Sequence, residues 1–291
     1  MGGPKNQKLL KKSGRLFISA GMGVIAFLTV YPAVFQIIGS ITGKGELLEG
    51  LAPALSGTEG YIHISVLPLY PTLRAYVEVL LDSPEFFIMF WNSVKLAVGI
   101  LAGQILISVP AAWGFAKGNF PFRRPLFHLY LLLMMMPFQV LMLPEYLVLD
   151  QLRLLDTHLG IILILIFSPF PVFLMYQFFQ GIPKEVLEAA RLDGASGWQI
   201  FLHIGCPLGM PGIASAMILG FLEYWSLIEQ PMTFLKTKSL WPLSLYLPDI
   251  ELSQAGPAFA ASVITMIPAI LVFLAGQDYL ERGIVAAAMK E

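Results

Sequence analysis

The residues able to do acid–base or ligand chemistry are few, and several lie in apolar surroundings. Glu145 follows Pro144, and Glu223 and Glu229 lie in Phe221-Leu-Glu-Tyr-Trp-Ser-Leu-Ile-Glu-Gln-Pro231. A carboxylate in an apolar segment is costly to desolvate and is by default a functional candidate. On one continuous helix Glu223 and Glu229 would stand about 120° apart, off any shared narrow face. Tyr224, Trp225 and Glu229 suit sugar stacking and hydrogen bonding along a substrate pathway, and equally suit hydrogen bonding between helices. The four histidines (His63, His128, His158, His203) are too scattered for an H-E-x-x-H zinc pair. There is no G-x-S-x-G nucleophile elbow. Gly43-Lys44-Gly45 lacks the Ser/Thr and preceding strand of a phosphate-binding loop. The single cysteine, Cys206, excludes an internal disulfide and a multi-cysteine metal site. No catalytic residue, metal or bound cofactor is expected, so any ATP dependence must come from another polypeptide.

The elements that carry these groups are set by composition. Of 291 residues, 57% are hydrophobic and only 13% charged, against about 25% charged in soluble domains. Mean hydropathy is +0.74. Eighteen Lys and Arg with 19 Asp and Glu cannot cover a soluble surface of this size, and a net charge of −1 gives no basic field for nucleic acid. The fold class is therefore all-α integral membrane. A spanning helix needs about 20 mostly apolar residues, and six stretches qualify, at about 16–38, 94–116, 126–149, 159–179, 208–230 and 258–280. Pro32, Pro110, Pro137, Pro169, Pro211 and Pro268 fall inside them. Such prolines read either as packing kinks or as hinges beside a pathway.

Lys and Arg set the orientation. The side bearing both termini collects twelve: five within residues 5–15, then Lys117, Arg123, Arg124, Lys184, Arg191, Arg282 and Lys290. The opposite side has Lys44, Arg74, Arg153, Lys236 and Lys238. Lys95, near the start of the second span, reads as a snorkelling anchor. The expectation is a multi-pass protein of the cytoplasmic membrane with both termini cytoplasmic. The first span is too long for a signal core and reads as an uncleaved anchor. It is followed by an extracytoplasmic segment, 39–93, in which 72–81 reads as a helix with Leu73, Tyr76, Val77 and Leu80 on one face. No inverted internal repeat is visible.

The most informative loop joins spans four and five at 181–207. Pro183 suits the first turn of a helix continuing over Lys184–Leu192. Asp193 can cap the next helix, Gly194 supplies a permissive turn, and that second short helix, over 198–204, ends towards Pro207. Small residues (Ala189, Ala190, Ala195) permit close backbone approach. Leu187, Ala190 and Leu192 offer apolar area, while Glu185, Glu188 and Arg191 offer charge. That pattern fits a helix docked in a partner's groove, and it fits a membrane-surface helix.

The spacing Glu188-Ala-Ala, three residues, Gly194, nine residues, Ile204-x-Cys206-Pro207 resembles the EAA loop of permease subunits in binding-protein-dependent ABC importers. The family's usual Leu is replaced by Cys206, an apolar exchange. The longer string Glu188-Ala-Ala-Arg-Leu-Asp-Gly-Ala-Ser196, Asn92-Ser93 opening span two and Met136-Pro-Phe-Gln139 in span three resemble the carbohydrate importers, in particular the second, G-like permease of the maltose type. The resemblance covers about 90–282. Two stretches depart from it. Related permeases often read Trp-Asn-Glu-Phe where this chain reads Trp225-Ser-Leu-Ile228, and the tail after Glu281 matches loosely.

The resemblance implies a type I importer permease with six transmembrane helices. Its parts are 1–90 (cytoplasmic N-terminus, first span and extracytoplasmic loop), 91–282 (permease core with coupling loop 181–207) and 283–291 (cytoplasmic tail). Implied partners are a pair of ATP-binding cassette subunits carrying ATP and Mg, a second permease, an extracytoplasmic solute-binding protein, a sugar substrate and membrane lipid. In the coupling loop Glu188 would pair with a basic residue of the ATPase. Ala189 and Ala190 would fit its groove, Gly194 would make the turn, and Asp193, Ile204 and Pro207 would complete the motif. An ion-coupled secondary transporter using intramembrane carboxylates such as Glu229, and a non-transporting membrane scaffold, are the alternatives; neither accounts for the EAA spacing.

Overall fold

The computed structural model describes residues 4–55, 61, 67–246 and 254–288, with side chains over 18–53, at 61, and over 67–246 and 254–281. Among these residues regular structure is helical, apart from one isolated antiparallel bridge between Thr42 and Pro71. In chain order the helices are α1 (Pro4–Ile41), α2 (Lys44–Leu55), α3 (Arg74–Leu81), α4 (Pro84–Lys117), α5 (Arg123–Met134), α6 (Phe138–Gln151), α7 (His158–Ile166) and α8 (Pro169–Gln180). Then come α9 (Lys184–Leu192), α10 (Gly197–Ile200), a π turn (Phe201–Gly205), α11 (Cys206–Trp225), α12 (Glu229–Phe234) and α13 (Ala255–Ala288). Two 3₁₀ turns, Lys238–Leu240 and Leu243–Leu245, precede α13. Residues 283–288 of the C-terminal tail continue α13 as backbone, and 289–291 lie outside the described residues.

Among the described residues five stretches are long and apolar enough to cross a membrane: Ile18–Ile41, Pro84–Lys117, His158–Gln180, Gly197–Trp225 and Ala255–Glu281. The sixth is α5 with α6, which pass together but meet at 104°. The third span expected over 126–149 is therefore a bent pair, and Pro137, read as a kink or a hinge, is where it breaks. The cause is Pro137, which has no N–H to give the carbonyl of Leu133 four residues back. Leu133 instead accepts from Met136 at 3.1 Å, a tighter i+3 bond that closes α5. Pro169 acts the same way between α7 and α8. The carbonyl of Leu165 loses its helical donor and receives the side-chain amide of Gln104 at 2.9 Å, besides the N–H of Ser168 at 3.1 Å. Gln104 is fully buried, and its amide also donates to the hydroxyl of Tyr224 at 2.6 Å. In an apolar medium a freed carbonyl must find such a partner.

The fifth span also differs from expectation. It begins at Gly197, not 208, and ends at Trp225, where Ser226 N–H turns back to the carbonyl of Glu223 at 3.2 Å. Pro231 then removes the donor that Leu227 would need, and the Ser244 hydroxyl donates to that carbonyl. Because the helix breaks here, Glu223 and Glu229 are not on one helix, and the 120° relation does not apply. The second span begins ten residues earlier than expected, so Asn92 and Ser93 sit inside α4 rather than opening it.

Packing divides the chain into two units, Met1–Ser83 with Leu247–Ile264, and Pro84–Tyr246 with Thr265–Glu291. In the first, Leu47, Leu51, Ala75 and Val79 are buried, Ser40 and Tyr76 hydroxyls meet at 2.8 Å, and Phe35 packs edge-on to Phe259. The helix expected at 72–81 is present over Arg74–Leu81 with a different inward face: Ala75 and Val79 are covered, while Leu73, Val77 and Leu80 are exposed. In the second, α4 packs on α7, α8 and α11. Gly99 and Gly103 let α4 approach α7 closely: a Cβ at Gly99 would meet Ile162 Cδ1 at 2.7 Å, and one at Gly103 would meet Ile166 Cβ at 3.0 Å. Small residues of this kind hold helices together where lipid offers no hydrophobic incentive to associate.

Candidate functional site

The 181–207 loop is anchored on the bundle and runs on into a span. Pro183 is the residue before α9, with an extended backbone that sets the helix direction. Leu187 (5% exposed) and Ala190 (9%) face inward, into a core built from Val109, Ala112, Met175 and Phe179 of the spans. Lys117 at the end of α4 clamps the approach by donating to the carbonyl of Ile182 at 2.6 Å. The opposite face of α9 is free of the core: Glu185, Glu188, Ala189 and Arg191 are exposed, and Leu192 is 90% exposed. Among the expected groove residues, Ala189 is therefore outward and Ala190 is not, because an alanine one residue on has rotated by about 100°.

The turn after α9 needs a residue of left-handed conformation. The N–H groups of Asp193, Gly194 and Ala195 bond the carbonyls of Ala189, Arg191 and Ala190, each at 3.0 Å. Gly194 has φ +85° with nothing within 4 Å of where a Cβ would stand. This conformation belongs to glycine. Asp193 ends α9 and does not cap the next helix, correcting that expectation. Ser196 caps it, its hydroxyl accepting Gln199 N–H at 3.3 Å while Gln199 Oε1 accepts Ser196 N–H at 2.8 Å. This reciprocal capping box is legible as Ser196-x-x-Gln199, but Asp193 drew the cap three residues early. The second short helix is not separate either: α10 runs through the π turn into α11, so the 181–207 loop continues directly into a span. Ile204 is half-buried against the core and Pro207 is exposed. Glu188 borders a cavity of about 380 Å³ shared with Lys117, Arg123, Lys184 and Arg191, an electropositive setting.

The expected pathway residues fare differently. Tyr224 (2% exposed) is held by Gln104, and Trp225 (4%) donates its indole N–H to the carbonyl of Thr265 at 2.9 Å while stacking on Phe221. Both are pinned inside the bundle, the interhelical role the sequence left open. Glu229 is exposed at the first turn of α12 and accepts from Gln139 Nε2 at 3.1 Å. A second cavity, of about 410 Å³, lies at the helix breaks instead. Met136 and Phe138 from the α5–α6 bend, Phe167 and Ser168 from the α7–α8 break, and Gln230 from α12 line it, with two carboxylates, Glu145 and Glu223. Sequence reading flagged both glutamates but could not bring them together.

Two further devices were not anticipated. Asn92 donates to the carbonyls of Ser239 and Trp241 at 2.7 and 3.1 Å, and Ser93 Oγ accepts from Leu243 N–H at 2.8 Å, tying the loop before α13 to α4. Asp156, at φ +57°, accepts from the N–H groups of Lys236 and Thr237 and from the Thr237 hydroxyl, at 2.8, 2.9 and 2.6 Å. The Thr237 hydroxyl, then its N–H, hold the Asp156 carboxyl below its usual range. Among the described residues no group of three or more His, Cys, Asp or Glu is placed to hold a metal ion.

Residues 104–286 match the family described as the inner membrane component of binding-protein-dependent transport systems. The chain is 29% identical over 277 residues to the arabinooligosaccharides transport system permease protein AraQ of Halalkalibacterium halodurans, covering 94% of this chain and 95% of the relative. It is 28% identical over 269 residues to the lactose transport system permease protein LacG of Rhizobium radiobacter, covering 91% and 93%. It is 32% identical over 209 residues to the sn-glycerol-3-phosphate transport system permease protein UgpE of Yersinia enterocolitica, covering 70% and 74%. A chain of a bacterial ABC transporter that imports the acidic polysaccharide alginate shares the fold, with a TM-score of 0.78 at 24% identity over 96% of this chain and 99% of that one. With most of its length matched to one family and its fold shared with a chain of an ABC transporter, the chain belongs to the multi-pass inner membrane components of binding-protein-dependent transport systems.

Proposed function

We propose that the chain is one of two permeases forming the pathway of an ATP-driven importer for a sugar or oligosaccharide. Both termini are cytoplasmic, and α9 docks in a groove of an ATP-binding cassette subunit. The observation that carries this reading is the shape of the 181–207 loop. It has an inward face locked into the bundle core, an outward face of Glu188 and Ala189, and a glycine-only turn at Gly194. A docked helix so mounted cannot swing alone. Movement of α9 when the ATPase pair closes is passed through α10 and the π turn into α11. Glu188 offers a carboxylate to a basic partner group, Ala189 the small contact, and Gly194 the turn. Asp193, Ile204 and Pro207 frame the motif, with Ala190 acting from inside. ATP and Mg reside on the partner, which does the hydrolysis; this chain binds no cofactor. To swing access from 1:99 to 99:1, ATP binding must favour one state by about 5.5 kcal/mol. A solute-binding protein delivers the sugar from outside, and the relatives' sugar substrates support the substrate class.

Affinity purification of the chain from its native membranes in mild detergent, with co-purifying subunits identified by mass, tests this. Recovery of an ATP-binding subunit and a second permease is expected. Recovery of the chain alone, under conditions that keep other membrane complexes together, would overturn it in favour of an ion-coupled carrier.

A further inference from the structure

The cavity at the helix breaks has a one-sided chemistry. Its polar lining is Glu145, Glu223, Ser168 and Gln230, and among the described residues no Lys, Arg or His borders it. Glu145 Oε2 is shut away from solvent without a hydrogen-bond partner among the described residues. A carboxylate is an acceptor-only group, so a hydroxyl or ammonium brought by a ligand can satisfy this oxygen. Phe138, Phe167 and Phe170 give apolar walls of the sort that pack on the C–H faces of a sugar ring. The site also sits where three spans are interrupted, at 135–137, 167–168 and 226–228. Bends there can change its shape without unwinding a whole helix.

We infer that this cavity is a charge-selective station on the pathway, binding uncharged or amino-bearing saccharides through hydroxyl or ammonium donors and rejecting anionic ones. The inference rests on the sugar-import reading above and narrows it. Hydroxyls and ammonium groups donate to Glu145 and Glu223; the carboxylate of a uronate or the phosphate of a sugar phosphate has no donor to give them and is repelled. The names of the relatives include both neutral cargo (arabinooligosaccharides, lactose) and anionic cargo (sn-glycerol-3-phosphate, alginate), so a choice between the two is one this family has to make.

The test uses the complete importer complex, purified without its solute-binding protein so that only the membrane site is read. Three probes of equal length are titrated: a neutral arabinooligosaccharide, a glucosamine oligosaccharide and an alginate oligosaccharide. The wild-type complex is expected to bind the first two, with the alginate probe weaker by on the order of tenfold or more. In Glu145→Gln/Glu223→Gln that gap shrinks to about twofold, because each amide can donate as well as accept. Equal wild-type binding of the alginate and neutral probes would overturn the inference, whatever the variants do. A gap left unchanged in a variant complex that still assembles would overturn it too. Failure of all three probes to bind would overturn the inference as well, and neither that nor binding without charge preference touches the sugar-import reading, which stands or falls on the co-purification above.

Discussion

Substitution at Gly194 separates the turn of the coupling loop from the surface that surrounds it. The residue stands at φ +85°, and the space beside its Cα is empty for 4 Å, so a new side chain meets nothing within the chain. The internal cost is therefore backbone strain, about 1–2 kcal/mol for an ordinary L residue, and less for Asn or Asp, which tolerate this region. Three turn hydrogen bonds of 3.0 Å and the Ser196–Gln199 capping box flank the site and keep the loop folded. Gly194→Asp should reach the membrane in normal amount, with a thermal midpoint close to wild type. Seated in an ATPase groove, however, the added side chain and charge occupy space that only a glycine leaves open. Asp carries less than that strain, so the loss is set by exclusion from the groove, where each 1.4 kcal/mol of lost docking energy is about tenfold. ATP-driven uptake in proteoliposomes should fall at least tenfold, or the ATPase should be lost on purification. Gly194→Asn, isosteric and uncharged, reports how much of the loss is shape. A Gly194→Asp complex that assembles and transports at the wild-type rate would refute the docking of this turn.

Three other outcomes are set by the packing. Gln104→Leu strips the carbonyl of Leu165 and the hydroxyl of Tyr224 of a shared buried donor. It should lower the stability of the detergent-solubilised chain by about 1–3 kcal/mol, read as a drop in thermal midpoint; an unchanged midpoint would show that these groups need no such partner. Gly209→Ala places a methyl 2.7 Å from Phe179 Cδ1 and should cost about 1–3 kcal/mol through overpacking, with loss of ATPase co-purification as the α9 core loosens. Asp156 has a lowered folded-state pKa, so its stabilisation is present above the ordinary aspartate value, near 4, and is lost as pH falls through the lower folded one. Wild type should therefore lose stability across that acid window more steeply than Asp156→Asn, and parallel pH profiles would contradict the clamp.

What could be read from sequence divides along physical lines. Hydropathy summed over 20 residues locates spans because desolvation is additive along a helix, and the helix over Lys184–Leu192 emerged from Pro183 and amphipathic spacing. Direction is not additive. The 104° bend at Met135–Pro137 depends on which carbonyl loses its donor and on where the freed chain can pack, which a window average cannot see. Tyr224 and Trp225 suit a pathway by composition, yet their polar atoms are taken by Gln104 on α4 and Thr265 on α13, far along the chain. Glu145 and Glu223 share a cavity only because three separate spans break at one place. Ala189 and Ala190 look alike in sequence, and only the core beneath Ala190 tells them apart.

ATP-dependent sugar uptake by proteoliposomes is the most direct measurement of whether this chain is a permease driven through its coupling loop. Vesicles would carry the chain with its companion permease and ATPase, and the solute-binding protein would be outside. Uptake should require ATP on the ATPase side and the binding protein on the other, and should vanish when the ATPase is omitted. Uptake by the chain without ATPase or ATP, abolished by an uncoupler, would contradict it.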